Sequence, residues 1–176
     1  MKKIHEIHNF SYIVSIEQLK REVAYDFNLV CSNDGLEELT DKLNVLAAKK
    51  ASISGTLKLQ TETRVFLNAK VTAKLIQACS LTLEPIVTNI SKKIWRTFSI
   101  ESNKNTSTKK CTFELNEKSF EHDIIMDEIN LGEVLMETIS LETPDYPKRS
   151  GASLQITPMS STDSNNPFSI LTKLKK

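Results

Sequence analysis

From residue 65 to residue 75, Val65, Leu67, Ala69, Val71, Ala73 and Leu75 alternate with Asn68, Lys70, Thr72 and Lys74. A period of two sends the two sets to opposite sides of a pleated strand, one side dry and the other carrying lysines. A strand with one dry side needs neighbours and a cover, so this stretch commits the chain to a sheet backed by other elements.

The neighbours are legible on both sides. Ile53, Leu57 and Leu59 oppose Ser52, Ser54, Thr56 and Lys58, and Gly55 among them marks a bulge or a close approach. Upstream, residues 10–16 and the alternating Tyr25, Phe27, Leu29 and Cys31 read as strands, with Ser15 and Gln18 spaced to cap one helical turn between them. Asp34 with Glu37 opens a helix whose Leu36, Leu39, Leu43 and Leu46 form a stripe for the sheet.

Residues 86–98 admit two periods. Ile86, Ile90, Ile94 and Phe98 share a strand face, but Val87, Ile90, Ile94, Trp95 and Phe98 also form a helical stripe, which periodicity slightly prefers. Residues 101–110 hold no apolar side chain and read as a loop before a short strand at 112–115. Asn130 and Glu133 then start a helix with Leu131, Val134, Leu135 and Ile139 inward, and Pro144 stops it. Residues 160–166 are a polar linker. Beyond it Asn166 caps and Pro167 opens a terminal helix carrying Phe168, Leu171 and Leu174, whose basic end at Lys173, Lys175 and Lys176 suits the helix dipole.

With 176 residues, 39% of them hydrophobic, the chain suits one domain with a core of its own. The net charge of +1 hides a segregation. Residues 48–110 carry twelve Lys and Arg against three Asp and Glu, residues 111–147 carry one against ten, and residues 148–176 carry five against one. A basic middle favours a surface for an anionic partner, provided the acidic stretch does not fold onto it.

Chemistry finds less support. Cys31, Cys79 and Cys111 are widely separated, with no CxxC pair and no short-range Cys/His cluster, so neither a disulfide framework nor a zinc site is expected. Cys79 has no histidine nearby in sequence to activate it, and reads as a small buried apolar residue at a strand end. Glu121, His122, Asp123, Asp127 and Glu128 read as a solvated approach to the next helix rather than an acid/base pair, since nothing holds two carboxylates on one rigid face. The amino terminus has lysines but no apolar segment behind them, and no stretch reaches membrane-span length, so a cytoplasmic, non-enzymatic protein without metal or cofactor is expected.

Three stretches then point to a family: QACSLTLEPI at residues 77–86, INLGEVLMETISLETPDYPKRSGA at 129–152, and NPFSILTKLKK at 166–176. With the strand around Gly55, they resemble the YceD family of large ribosomal RNA subunit accumulation proteins, over most of the chain beyond residue 50. The resemblance implies a bacterial or organellar protein needed for normal amounts of large-subunit rRNA, commonly encoded beside a zinc-ribbon ribosomal protein. It also implies a strand rather than a helix at 86–98, with Phe98 inward. Many relatives carry a second cysteine where this chain has Thr82, so a function carried by that pair cannot operate here.

The fold expected is α+β, with a mainly antiparallel, strongly twisted or barrel-like sheet. A helix packs after the N-terminal strands, a second lies near 131–142, and a short one closes the chain. Residues 1–159 form one domain, 160–166 the linker and 167–176 the basic helix. The candidate RNA-binding residues are Lys58, Arg64, Lys70, Lys74, Lys92, Lys93, Trp95 and Arg96, with Trp95 able to stack a base if it shares a face with Lys93. Phe168, Leu171, Leu174 and Lys175 are candidates for a protein partner, by insertion of a helix in a groove. The expected partner is large-subunit rRNA or a pre-ribosomal particle, with a large-subunit ribosomal protein as a further candidate, and no membrane. An adaptor or chaperone for a ribosomal protein or rRNA-processing enzyme is the alternative.

Overall fold

The computed structural model describes residues 4–22, 24–100, 122–125 and 127–153. The expected strand at 112–115, the linker at 160–166 and the terminal helix at 167–176 lie outside the described residues. The described chain is α+β, with a mostly antiparallel sheet and three helices.

Strand β1 (His5–Ile7) is followed by β2 (Ile13–Ser15), α1 (Ile16–Arg21), β3 (Tyr25–Cys31) and α2 (Asn33–Leu43). The long strands β4 (Ala47–Thr61), β5 (Arg64–Ala78) and β6 (Pro85–Ile100) come next, then β7 (His122–Ile125), β8 (Glu128–Asn130) and α3 (Leu131–Glu142). The main sheet runs in the order β1-β3-β4-β5-β6-β7, and β2 pairs with β8 in a separate ribbon. The outermost pairs, β1 with β3 and β6 with β7, are parallel, and the rest are antiparallel. β1 and β7 stand at opposite edges, so the described strands do not close into a barrel.

The core fills one side of this sheet. Ile53 and Leu57 of β4 and Leu67, Val71 and Leu75 of β5 are fully buried there, together with Leu39 of α2 and Leu135 and Ile139 of α3. Each such side chain contributes about 1.5–3 kcal/mol by leaving water. Gly55 belongs to this side too. A Cβ on it would stand 2.6 Å from the Ala69 side chain and 2.3 Å from the Asn68 carbonyl oxygen, so close approach rather than a bulge explains the glycine.

Several boundaries differ from expectation. Residues 10–16 are not one strand, because Asn9 and Phe10 both take left-handed conformations, in a turn bridged from His8 to Ser11. Ser15 caps α1 by accepting from the Gln18 N–H, so Ile16 already belongs to the helix. Ser32, not Asp34, caps α2, because its hydroxyl oxygen accepts from the Gly35 N–H. Asn44 ends α2 in the left-handed conformation, which leaves Leu46 off the stripe and exposed. Residues 86–98 are strand, and Phe98 is buried. The acidic approach to α3 is itself partly sheet, since β7 adds to the edge of β6 and β8 pairs with β2. No helix among the described residues is long and apolar enough to cross a membrane.

Candidate nucleic-acid interface on the open sheet face

Strand register converts the alternation of β4, β5 and β6 into a two-dimensional array. Opposed residues in an antiparallel pair share a face and stand about 5 Å apart. On the side away from the core, Lys50 of β4 faces Lys74 of β5, which faces Asn89 of β6. The next rows are Ser52, Thr72 and Ser91, then Ser54, Lys70 and Lys93, then Thr56, Asn68 and Trp95, then Lys58, Phe66 and Thr97. Arg64, opposite Ser99, ends the array.

Lys50, Lys58, Arg64, Lys70, Lys74 and Lys93 are all exposed on this face. Trp95 is 64% exposed among them, and Phe66 is half-buried. Among the described residues, no carboxylate lies within ion-pair distance of these five lysines. A carboxylate borders the array: Asp26 of β3 stands opposite Thr56, in the row of Trp95, and accepts from the Thr56 hydroxyl at 2.5 Å, while Glu6 lies farther out on β1.

Two of the lysine contacts are unfavourable. Lys70 directly opposes Lys93, and Lys74 directly opposes Lys50. Like charges in opposed positions destabilise a sheet by roughly 0.2–1 kcal/mol per pair. A polyanion lying across the strands reverses that sign, because each phosphate placed between two ammonium groups attracts both.

Lys92 and Arg96 do not belong to the array. They share the core side of β6 with Ile90 and Phe98, and carboxylates of α3 pair with them: Lys92 Nζ, still exposed, lies 2.7 Å from Glu142 Oε1 and Arg96 Nη1 lies 2.6 Å from Glu137 Oε2. Their long stems reach past the strand to carboxylates of the acidic segment, which neutralises both. Conversely, Lys50 and Phe66 join the face without having been singled out. Lys50 lies beyond a register shift between Ala48 and Lys50 that obscures the alternation, and Phe66 sits at a polar position of β5. Phe168, Leu171, Leu174 and Lys175 lie outside the described residues.

A second cluster forms where β5 turns into β6. Gln77 Nε2 donates to the Pro144 carbonyl oxygen, Ser80 donates through both N–H and hydroxyl to that of Pro147, and Arg149 pairs with Glu84. Two of the three stretches that carry the family resemblance are thereby joined. At their junction the buried Cys79 Sγ accepts from the Thr82 hydroxyl and from the N–H groups of Arg149, Leu81 and Thr82. Position 82 therefore stands against the sulfur, and a hydroxyl serves there.

These donors, the Thr82 hydroxyl first, favour the thiolate and lower the Cys79 pKa from 9.0 to about 6, against a small opposing effect of burial. Burial, aided by Glu38, pushes the Cys31 thiol up to about 11, so the two titrate apart. Between about pH 6 and pH 9 the folded chain binds fewer protons at Cys79 than the unfolded chain. The resulting stability is full above pH 9 and is lost as pH falls through 6. Difference titration of the thiolate ultraviolet band, wild type minus Cys79→Ser, is expected to show a transition near pH 6; one near pH 9 alone would refute the assignment. Among the described residues no three His, Cys, Asp or Glu side chains gather as a metal cage.

No family model, curated protein or solved structure matches this chain.

Proposed function

We propose that this chain is a non-enzymatic, cytoplasmic ribosome biogenesis factor of the YceD type, supporting synthesis, processing or stability of large-subunit (23S-type) rRNA. It binds that RNA, or a pre-ribosomal particle, through the open face of β4, β5 and β6. The observation that carries the proposal is the array of Lys50, Lys58, Lys70, Lys74 and Lys93 on one exposed face, with no described carboxylate paired to them and two like-charge contacts that an anion relieves. The ribosomal setting comes from the motif stretches at 77–86 and 129–152, whose residues Gln77, Cys79 and Ser80 are hydrogen-bonded to Pro144, Arg149 and Pro147.

The test is sedimentation with large-subunit precursor particles as salt is raised. About five lysine–phosphate contacts give a log–log slope near −3.5, or roughly 100-fold weaker association between about 50 and 200 mM salt. Association that is flat in salt and survives nuclease treatment would sink direct RNA contact, leaving the adaptor alternative.

A further inference from the structure

We infer that the open face takes single-stranded rather than duplex RNA, with one base stacked on Trp95 and a second on Phe66 while the surrounding lysines hold the backbone. This inference rests on the RNA-face reading and adds the class of RNA to it.

The lysines alone do not choose between RNA forms, since both present phosphates. The aromatic side chains do. Trp95 exposes its ring on a face that is otherwise lysine and small polar residues, at a site where core packing makes no use of it. Phe66 stands on the neighbouring strand, diagonal to Trp95 and opposite Thr97. Diagonal neighbours lie about 7–8 Å apart, which seats two bases on separate rings once they are unstacked from one another. Bases inside a duplex are already stacked and paired, and the described residues of this face are strand, with no helix among them to enter an RNA groove.

Polar groups complete the site. Asn68, exposed and directly opposite Trp95, brings an amide with both donor and acceptor capacity to the edge of a base on that ring. Lys58 borders Phe66 on one side, and Lys70 and Lys93 occupy the row next to Trp95, so cations flank both platforms. An acidic protein segment matches the lysines but gives the exposed indole nothing to stack.

Trp95 is the chain's one tryptophan, so its fluorescence reports the site directly. The experiment titrates full-length protein with an unstructured labelled RNA oligonucleotide, the same sequence as a duplex, and polyglutamate, reading tryptophan quenching and label anisotropy. The single strand is expected to quench Trp95 and to bind most tightly. Trp95→Ala is expected to weaken that binding about 5- to 150-fold, and Trp95→Phe to restore most of it. Unchanged melting of Trp95→Ala separates this loss from misfolding. Equal binding of single strand and duplex without quenching, or full affinity in Trp95→Ala, overturns the single-strand inference and leaves the RNA face standing. Failure of both RNAs to bind, or polyglutamate binding as tightly as RNA, overturns the face itself.

Discussion

Lys70→Glu combined with Lys74→Glu is expected to lower affinity for large-subunit precursor RNA about 100-fold while leaving the protein slightly more stable than wild type. Affinity falls because two contacts to phosphate become two repulsions at the centre of the array, and the salt dependence flattens as those contacts vanish. Stability rises because Lys70 faces Lys93 and Lys74 faces Lys50, so each reversal turns a like-charge pair into an opposite-charge pair. At roughly 0.2–1 kcal/mol per pair the gain is about 1 kcal/mol in all, or about 2–4 °C in Tm for a chain of this size. Lys92→Glu is the contrasting variant, because Lys92 lies on the core side and pairs with Glu142. It is expected to melt slightly lower and to bind as wild type. Filter binding beside thermal melts checks both, and a double variant that binds poorly because it melts early would assign the lysines a structural role.

The contrast between Lys70 and Lys92 also shows how far the sequence reaches. Strand parity in 65–75 is written in six apolar residues, with Phe66 the one apolar residue on the opposite side, so the side taken by Lys70 and Lys74 follows from chain chemistry alone. For 86–98 the same information exists but competes with a helical stripe, and only the choice of strand makes it usable. Once Ile90 and Phe98 face the core, parity sends Lys93 and Trp95 outward and Lys92 and Arg96 inward. What the sequence does not disclose is that Glu137 and Glu142 of α3 stand ready for those inward cations, because that pairing depends on how α3 crosses the sheet. Short edge strands are equally hard to read. The three residues of β1 and the four of β7 complete no convincing alternation, and both are defined by parallel partners distant in sequence.

Substituting Gly132 by alanine is expected to destabilise the fold by about 3 kcal/mol or more, near the upper end of what overpacking does, with a fall of roughly 6–12 °C in Tm. Gly132 sits in the first turn of α3, and a Cβ there would lie 2.0 Å from the Phe10 carbonyl oxygen and 2.2 Å from its carbonyl carbon. Both are backbone atoms of a turn that cannot retreat freely. Asn9 and Phe10 hold it in left-handed conformations, the Phe10 ring is buried, and the Leu131 N–H donates to the Tyr12 carbonyl oxygen at 2.9 Å. Asn130 adds a second tie, its Oδ1 accepting from the N–H groups of both Tyr12 and Gly132. Relief requires the turn or the helix to move, and moving the helix disturbs Leu131, Val134, Leu135 and Ile139 in the core. The sign is diagnostic, because helix propensity alone favours alanine over glycine by about 1 kcal/mol and would raise Tm. A higher melting temperature for Gly132→Ala would therefore exclude the close packing of this turn against α3. Since Gly132 is on the core side of the sheet, the fraction that remains folded is expected to bind RNA with wild-type affinity and salt dependence, which separates the scaffold from the lysine face it supports.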